Sequence, residues 1–142
     1  IDTESLSVHN AELQKMYAEV RANEQMWEEY KLEDAEYVIT AFGTVARIAK
    51  SAIDQLREEG IKVGLVRPIT VWPFPYDAVK KAACADGVKA VLDVELNEGQ
   101  MLEDVKLAIN GAKPVDFFGH LGSEMPTTDE IVAKIKSMKE GM

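Results

Sequence analysis

The chain has 142 residues, a size that suits one domain able to bury about two-thirds of its unfolded surface. With 46% hydrophobic and 29% charged residues it reads as an ordinary globular sequence, and a net charge of −9 argues against nucleic acid or an anionic membrane as a partner. Cys84 is the one cysteine, which excludes an internal disulfide and any cysteine-only cluster or zinc site. No apolar run approaches membrane-spanning length and no signal-peptide pattern is present, so a soluble, cytoplasmic chain is expected. Because the sequence opens on Ile1 rather than Met, it is expected to be a piece of a longer polypeptide.

The charge is uneven along the chain. Residues 1–36 carry ten acidic and three basic side chains, a net of −7, which leaves −2 for the remainder. In this region Leu13, Met16, Tyr17, Val20 and Trp27 follow helical spacing and predict a long amphipathic helix, its acidic face solvated. Residues 1–30 are therefore taken as an N-terminal linker and helix, and residues 31–142 as an α/β domain. Tyr30–Leu32 is expected to form a short edge strand.

A regular alternation follows. Tyr37–Phe42 is a β-rich apolar run that Gly43 and Thr44 turn into a helix, with Thr44 as its expected N-cap. Val45, Ile48, Ala49, Ala52, Ile53 and Leu56 mark that helix's buried stripe, and Gly60 is placed just past its end. Val63–Val66 is the next strand, broken by the corner Trp72-Pro73-Phe74-Pro75, with Pro75 at a helix start where its missing N–H costs nothing. The helix from Pro75 to Cys84 leads to a strand at Ala90–Val94, a helix carrying Met101, Leu102, Val105, Ala108 and Ile109, and a strand at Val115–Phe118. Thr127 and Glu130 form a capping-box pattern that opens a last helix. Strands recurring about every twenty-five residues with helices between them are the signature of βαβ units, a mostly parallel sheet covered on both faces.

Chemistry is sought at the strand ends, where such sheets present function. Gly43 and Thr44 stand where a phosphate-binding turn would, but neither G-x-G-x-x-G nor G-x-x-x-x-G-K-[ST] is present, and a plain helix cap is the better reading. Glu95, Asn97, Gly99 and Gln100, together with Glu98, form the densest polar group. This cluster serves to cap the next helix, to bind a small ligand or to face a neighbouring subunit, with structural or interface use ahead of ligand binding. Asp93 lacks the acidic pair that a phosphoacceptor site needs after the first strand, and reads as a structural partner or an edge residue. His9 and His120 have no ligand-like neighbours, and Ser123 lacks the G-x-S-x-G context of a nucleophile elbow. Cys84 reads as a small core residue. No acid, base and nucleophile come together, so the domain by itself is not expected to be catalytic.

Several segments carry a family resemblance: Ala41-Phe42-Gly43-Thr44-Val45-Ala46-Arg47, Arg67-Pro68-Ile69-Thr70-Val71-Trp72-Pro73-Phe74-Pro75, Val94-Glu95-Leu96-Asn97-Glu98-Gly99-Gln100-Met101 and the stretch from Gly119 to Glu130. The sequence resembles the C-terminal, transketolase C-terminal-like domain of the α subunit of 2-oxoacid:ferredoxin oxidoreductases, most closely the 2-ketoisovalerate type, over roughly residues 10 to 136. The resemblance implies a three-layer α/β/α fold with a mostly parallel five-stranded sheet and one short antiparallel edge strand. It also implies that Tyr37–Phe42 and Ala90–Val94 are neighbours, which would bring Gly43, Thr44, Glu95, Asn97, Gly99 and Gln100 to one crevice or interface.

The whole enzyme of that family uses thiamine diphosphate, magnesium, iron–sulfur clusters and coenzyme A, and passes electrons to ferredoxin. The resemblance implies that none of these is bound by this segment. Its implied partners are an upstream pyrimidine-binding domain of the same chain and the β and iron–sulfur subunits. The expected role is structural, an assembly domain, so that reversing the charges of Glu28 and Glu29 would weaken assembly and spare the fold. A stand-alone module for a small ligand or anion, or the same domain of a 2-oxoglutarate enzyme, is the alternative.

Overall fold

A computed structural model describes residues 2–122 and 124–141. Its elements run α1 (Thr3–Asn23), β1 (Trp27–Tyr30), β2 (Tyr37–Thr40), α2 (Gly43–Glu58), β3 (Val63–Pro68), α3 (Tyr76–Ala83), β4 (Ala90–Glu95), α4 (Gln100–Ile109), β5 (Val115–Gly119) and α5 (Thr128–Glu140). The strands form one sheet in the order β1-β3-β2-β4-β5, with β1 antiparallel to β3 and every other pairing parallel. After β3 the chain crosses back over β2 to form β4, so the strand order reverses between β2 and β4. This is the α/β architecture that the alternating pattern implies.

Helices cover both faces. On one side Tyr37, Ile39, Leu65, Leu92 and Val94 pack against Ala49, Ile53 and Leu56 of α2 and Ile131 and Ile135 of α5. On the other, Val38, Val66 and Val91 meet Val79 and Ala83 of α3 and Met101, Val105 and Ile109 of α4. Coverage of both faces explains why β2 and β4 are buried at every position rather than alternating. Among the described residues, the buried polar exceptions are Thr40, Asp93 and Glu95.

Several expectations are corrected. The edge strand lies at Trp27–Tyr30, not Tyr30–Leu32, and Trp27 is a strand residue rather than part of the first helix. Lys31, at φ 52°, turns the chain sharply, which ends β1 at Tyr30. Residues 27–30, grouped above with the linker, are therefore a strand of the sheet. Within β1, Glu28 bonds Lys50 of α2 and Arg67 of β3, so reversing its charge would strike the fold, and Glu29 is the cleaner probe of assembly. Helix α1 buries none of its residues, and Tyr17 meets Trp72 edge-on at 5.8 Å.

Thr44 does not cap α2: Phe42 occupies the N-cap without a side-chain bond, and Gly43 enters the helix at φ 59°. The capping box at Thr127 and Glu130 forms as the sequence indicates, with Glu130 N–H donating to the Thr127 hydroxyl and Thr127 N–H to the Glu130 carboxylate. Gly60, at φ 79°, follows α2 in the left-handed conformation.

Candidate functional site

The strand order places the C-terminal ends of β2 and β4 side by side, with Thr40 directly across from Asp93. The chain leaves β4 through Leu96–Gly99 into α4. Helix α4 begins with backbone N–H groups that have no partner within the helix, and the polar cluster supplies them. Asn97 Oδ1 accepts from Gly99 N–H at 2.8 Å and Gln100 N–H at 2.9 Å. The Glu95 carboxylate accepts from Met101 N–H at 2.9 Å and Leu102 N–H at 3.0 Å. Asn97 Nδ2 donates to Glu95 Oε2 at 2.9 Å, which ties the two caps together.

The cluster is thus one distributed helix cap, built from a strand's last residue and a turn residue. Gly99 takes φ 93°, and a Cβ there would stand 3.1 Å from the Leu102 side chain, so only glycine passes this turn without strain. A carboxylate at a helix N-terminus is also the favourable charge for the dipole.

Beside this cap lies a cleft of about 260 Å³, lined by Phe42, Val71, Phe74, Glu95, Gln100, Met101 and Asp104. Of the residues singled out from sequence, Glu95 and Gln100 face it. Asn97 is committed to the cap, Gly99 is buried, and Gly43 and Thr44 are exposed and do not line it. Tyr76 at the start of α3 donates its hydroxyl to Asp104 Oδ1, and this bond pushes the phenol up to about 12, so it stays protonated at any ordinary pH.

The N–H groups at the start of α4, where a phosphate would be held in such a fold, are already bonded to Glu95 and Asn97. This donor set does not fit the pyrophosphate of a thiamine cofactor. Among the described residues, no group of three or more His, Cys, Asp or Glu side chains is placed to hold a metal ion. Nor is any helix among them long and apolar enough to cross a membrane.

His120 follows β5, and its Nε2 lies 3.3 Å from the Glu130 carboxylate, so it joins the β5–α5 turn to the start of α5. Ser123 lies outside the described residues. Cys84 ends α3 half-buried against the α3–α4 core. The residue that sequence reasoning undervalued is Asp93, which is fully buried in an interior strand and not at an edge, with the Thr40 hydroxyl 2.5 Å from its Oδ1. The signal was available: in Val91-Leu92-Asp93-Val94-Glu95 the period of two sends both carboxyls to one face.

Residues 35–131 match the family of pyruvate:ferredoxin oxidoreductase core domain II. The chain belongs to that family. Along its length, this core domain II is 41% identical over 138 residues to the ketoisovalerate oxidoreductase subunit VorB of Methanothermobacter marburgensis, covering 97% of this chain and 38% of the relative. The chain therefore spans well under half of that relative's length.

Among solved structures it resembles the 2-oxoglutarate:ferredoxin oxidoreductase from Magnetococcus marinus, with a TM-score of 0.75 and 20% identity over 96% of this chain and 23% of that one. A split-gene transketolase described as an inactive β4 tetramer matches with a TM-score of 0.64 and 20% identity, over 78% of this chain and 40% of its own. At such identities the likeness is one of fold, and it agrees with the transketolase-like topology of the sheet.

Proposed function

We propose that this chain is the non-catalytic structural and assembly domain of a thiamine-diphosphate-dependent 2-ketoisovalerate:ferredoxin oxidoreductase. The whole enzyme would convert a branched-chain 2-oxoacid to its acyl-coenzyme A and pass the electrons to ferredoxin. Thiamine diphosphate, magnesium and the iron–sulfur clusters would be held elsewhere in that enzyme. An upstream pyrimidine-binding domain of the same chain and the β and iron–sulfur subunits would be this domain's neighbours, in the cytoplasm.

The observation that carries the assembly role is where the exposed apolar side chains lie. Ile69, Val71 and Trp72 follow β3, Leu96 follows β4, and Leu121 and Met125 follow β5, all exposed at the end where the parallel strands finish. Met26 and Trp27 join them, because Trp27 pairs with Pro68 and the Met26 carbonyl accepts from Ile69 N–H. A monomer rarely exposes so much apolar surface at one end unless another surface covers it. The commitment of Glu95 and Asn97 to capping α4 supports a structural rather than a chemical use of the same strand ends. The VorB likeness at 41% identity favours the branched-chain substrate.

Immunocapture from the native organism, followed by intact mass, tests the assembly. A longer α chain with cysteine-rich partners is the expected result, and a free chain of 15.7 kDa without companions would overturn it. Coenzyme A-dependent ferredoxin reduction by the purified complex then tests the substrate. The expected order is higher kcat/KM on 2-ketoisovalerate than on 2-oxoglutarate, and the reverse order moves the assignment to the 2-oxoglutarate enzyme.

A further inference from the structure

Two carboxyl groups share the α3–α4 face of β4, on Asp93 and Glu95, and neither residue has exposed surface. Their chemical situations differ. Glu95 is an acceptor throughout: Met101 N–H, Leu102 N–H and the Asn97 side-chain amide all donate to it. Asp93 receives one bond, from the Thr40 hydroxyl to Oδ1, and its Oδ2 is buried with no donor within reach. The Glu95 carboxyl follows two residues on along the same buried face of β4, and two carboxyls can share a hydrogen bond only when one of them carries a proton. With the Glu95 oxygens occupied by N–H donors, that proton belongs on Asp93. Two adjacent buried carboxylates would otherwise repel each other across the low-dielectric interior.

We propose that Asp93 is held as a neutral carboxylic acid whose proton is donated to Glu95, and that this shared proton is a pH-sensitive latch on the turn from β4 into α4. Loss of the proton places a second negative charge against Glu95, the group that holds the first turn of α4. Loosening that turn would disturb both the floor of the cleft and the position of the exposed Leu96.

The groups facing the pair support one proton and one charge. From β2 comes the Thr40 hydroxyl, and from β5 the register partners are Phe117 and Gly119, neither of which titrates. From α4, Lys106 acts at longer range as a cation, and Asp104 lines the cleft but is bonded to Tyr76 of α3. Burial first, and then the bond with Glu95, push the Asp93 carboxyl up to about 8 from its ordinary 3.8.

The direction of the pH effect follows from that rise. The folded chain keeps a proton that the unfolded chain has released, so this contribution to stability is complete below about 3.8. It declines as pH rises toward about 8 and is gone beyond it. Each pH unit inside that window lowers the folding constant by up to about tenfold.

Isotope-edited infrared spectroscopy with ¹³C-labelled aspartate reads the proton directly in the 142-residue chain. The expected result at pH 6 is a band of a protonated carboxylic acid that shifts with the label, titrates away near pH 8 and is absent from Asp93→Asn. A labelled spectrum showing only ionised carboxylates at pH 6 would overturn the proposal without any need for a variant.

Asp93→Asn supplies the second readout, since its amide donates to Glu95 and its carbonyl accepts from Thr40 with no charge to lose. It is expected to flatten the fall in stability between pH 5 and pH 8. It is also expected to hold the Met101 and Leu102 amides equally protected from exchange on either side of pH 8, after correction for intrinsic rates. A variant with the same pH slope as the parent would overturn the latch.

Discussion

Arg57 of α2 donates to the backbone carbonyls of Lys31 and Val63, each at 2.7 Å, so one guanidinium joins the turn after β1 to the start of β3. The same group bonds the Asp34 carboxylate at 2.7 Å. Only a planar fork of N–H donors serves three acceptors in these directions. Arg57→Lys keeps the charge and loses the fork. It is expected to lower the denaturation midpoint by an amount equivalent to about 1–2 kcal/mol, leaving at least one carbonyl without its donor. A lysine variant as stable as the parent would show that charge alone suffices.

Glu95 and Asn97 are separable in effect. Glu95→Ala removes the acceptor of two α4 N–H groups in a fully buried position and is expected to cost about 2–3 kcal/mol by chemical denaturation. Asn97→Ala removes a half-buried cap and is expected to cost about 1 kcal/mol. Equal losses, or a larger loss at Asn97, would contradict the division of the cap between them.

At Gly64 there is no room for even a methyl group. A Cβ there would lie 2.6 Å from the Lys31 carbonyl oxygen and 2.8 Å from the Leu32 side chain, and Arg57 fixes that carbonyl. Gly64→Ala is expected to destabilise by about 1–3 kcal/mol through displacement of the turn after β1. Amide exchange localised to residues 27–34 should report it, and a shift spread evenly over the sheet would speak against this contact.

Glu28 is one of the carboxyls that shape the acid limb of the stability profile. Its hydrogen bonds with Lys50, foremost, and with Arg67 hold its carboxyl below the usual 4.5. A lowered folded value means stability present above 4.5 and lost as pH falls through the folded value. Glu28→Gln is expected to lose less stability than the parent between pH 5 and pH 3, starting from a slightly lower value at neutral pH. Parallel profiles for the two proteins would show that the pair contributes nothing net, as many half-exposed ion pairs do.

The sequence made the sheet and its order of elements legible because both faces are covered. Runs such as Tyr37-Val38-Ile39 and Val91-Leu92 are apolar without alternation, and the capping box at Thr127 is wholly local. What escaped was set by pairing across the chain. Thr40 and Asp93 are 53 residues apart and meet only through the register of β2 and β4. Trp27-Glu28-Glu29-Tyr30 does not announce a strand, because its two glutamates answer to Lys50, Arg67 and solvent rather than to a core. Thr44 failed as a cap because Gly43 enters the helix with a positive φ, a backbone choice that a Gly-Thr pair does not reveal.

The strand that runs against the others also ends the sheet, and half of its four residues are glutamates. β1 places exposed Glu29 on a four-residue rim, with Glu28 leaning inward to two cations. A short acidic margin of this kind is a poor template for another strand, whose backbone would have to approach it. The sheet is closed to growth on that side, and a further strand would have only the β5 edge, Val115–Gly119, to pair with.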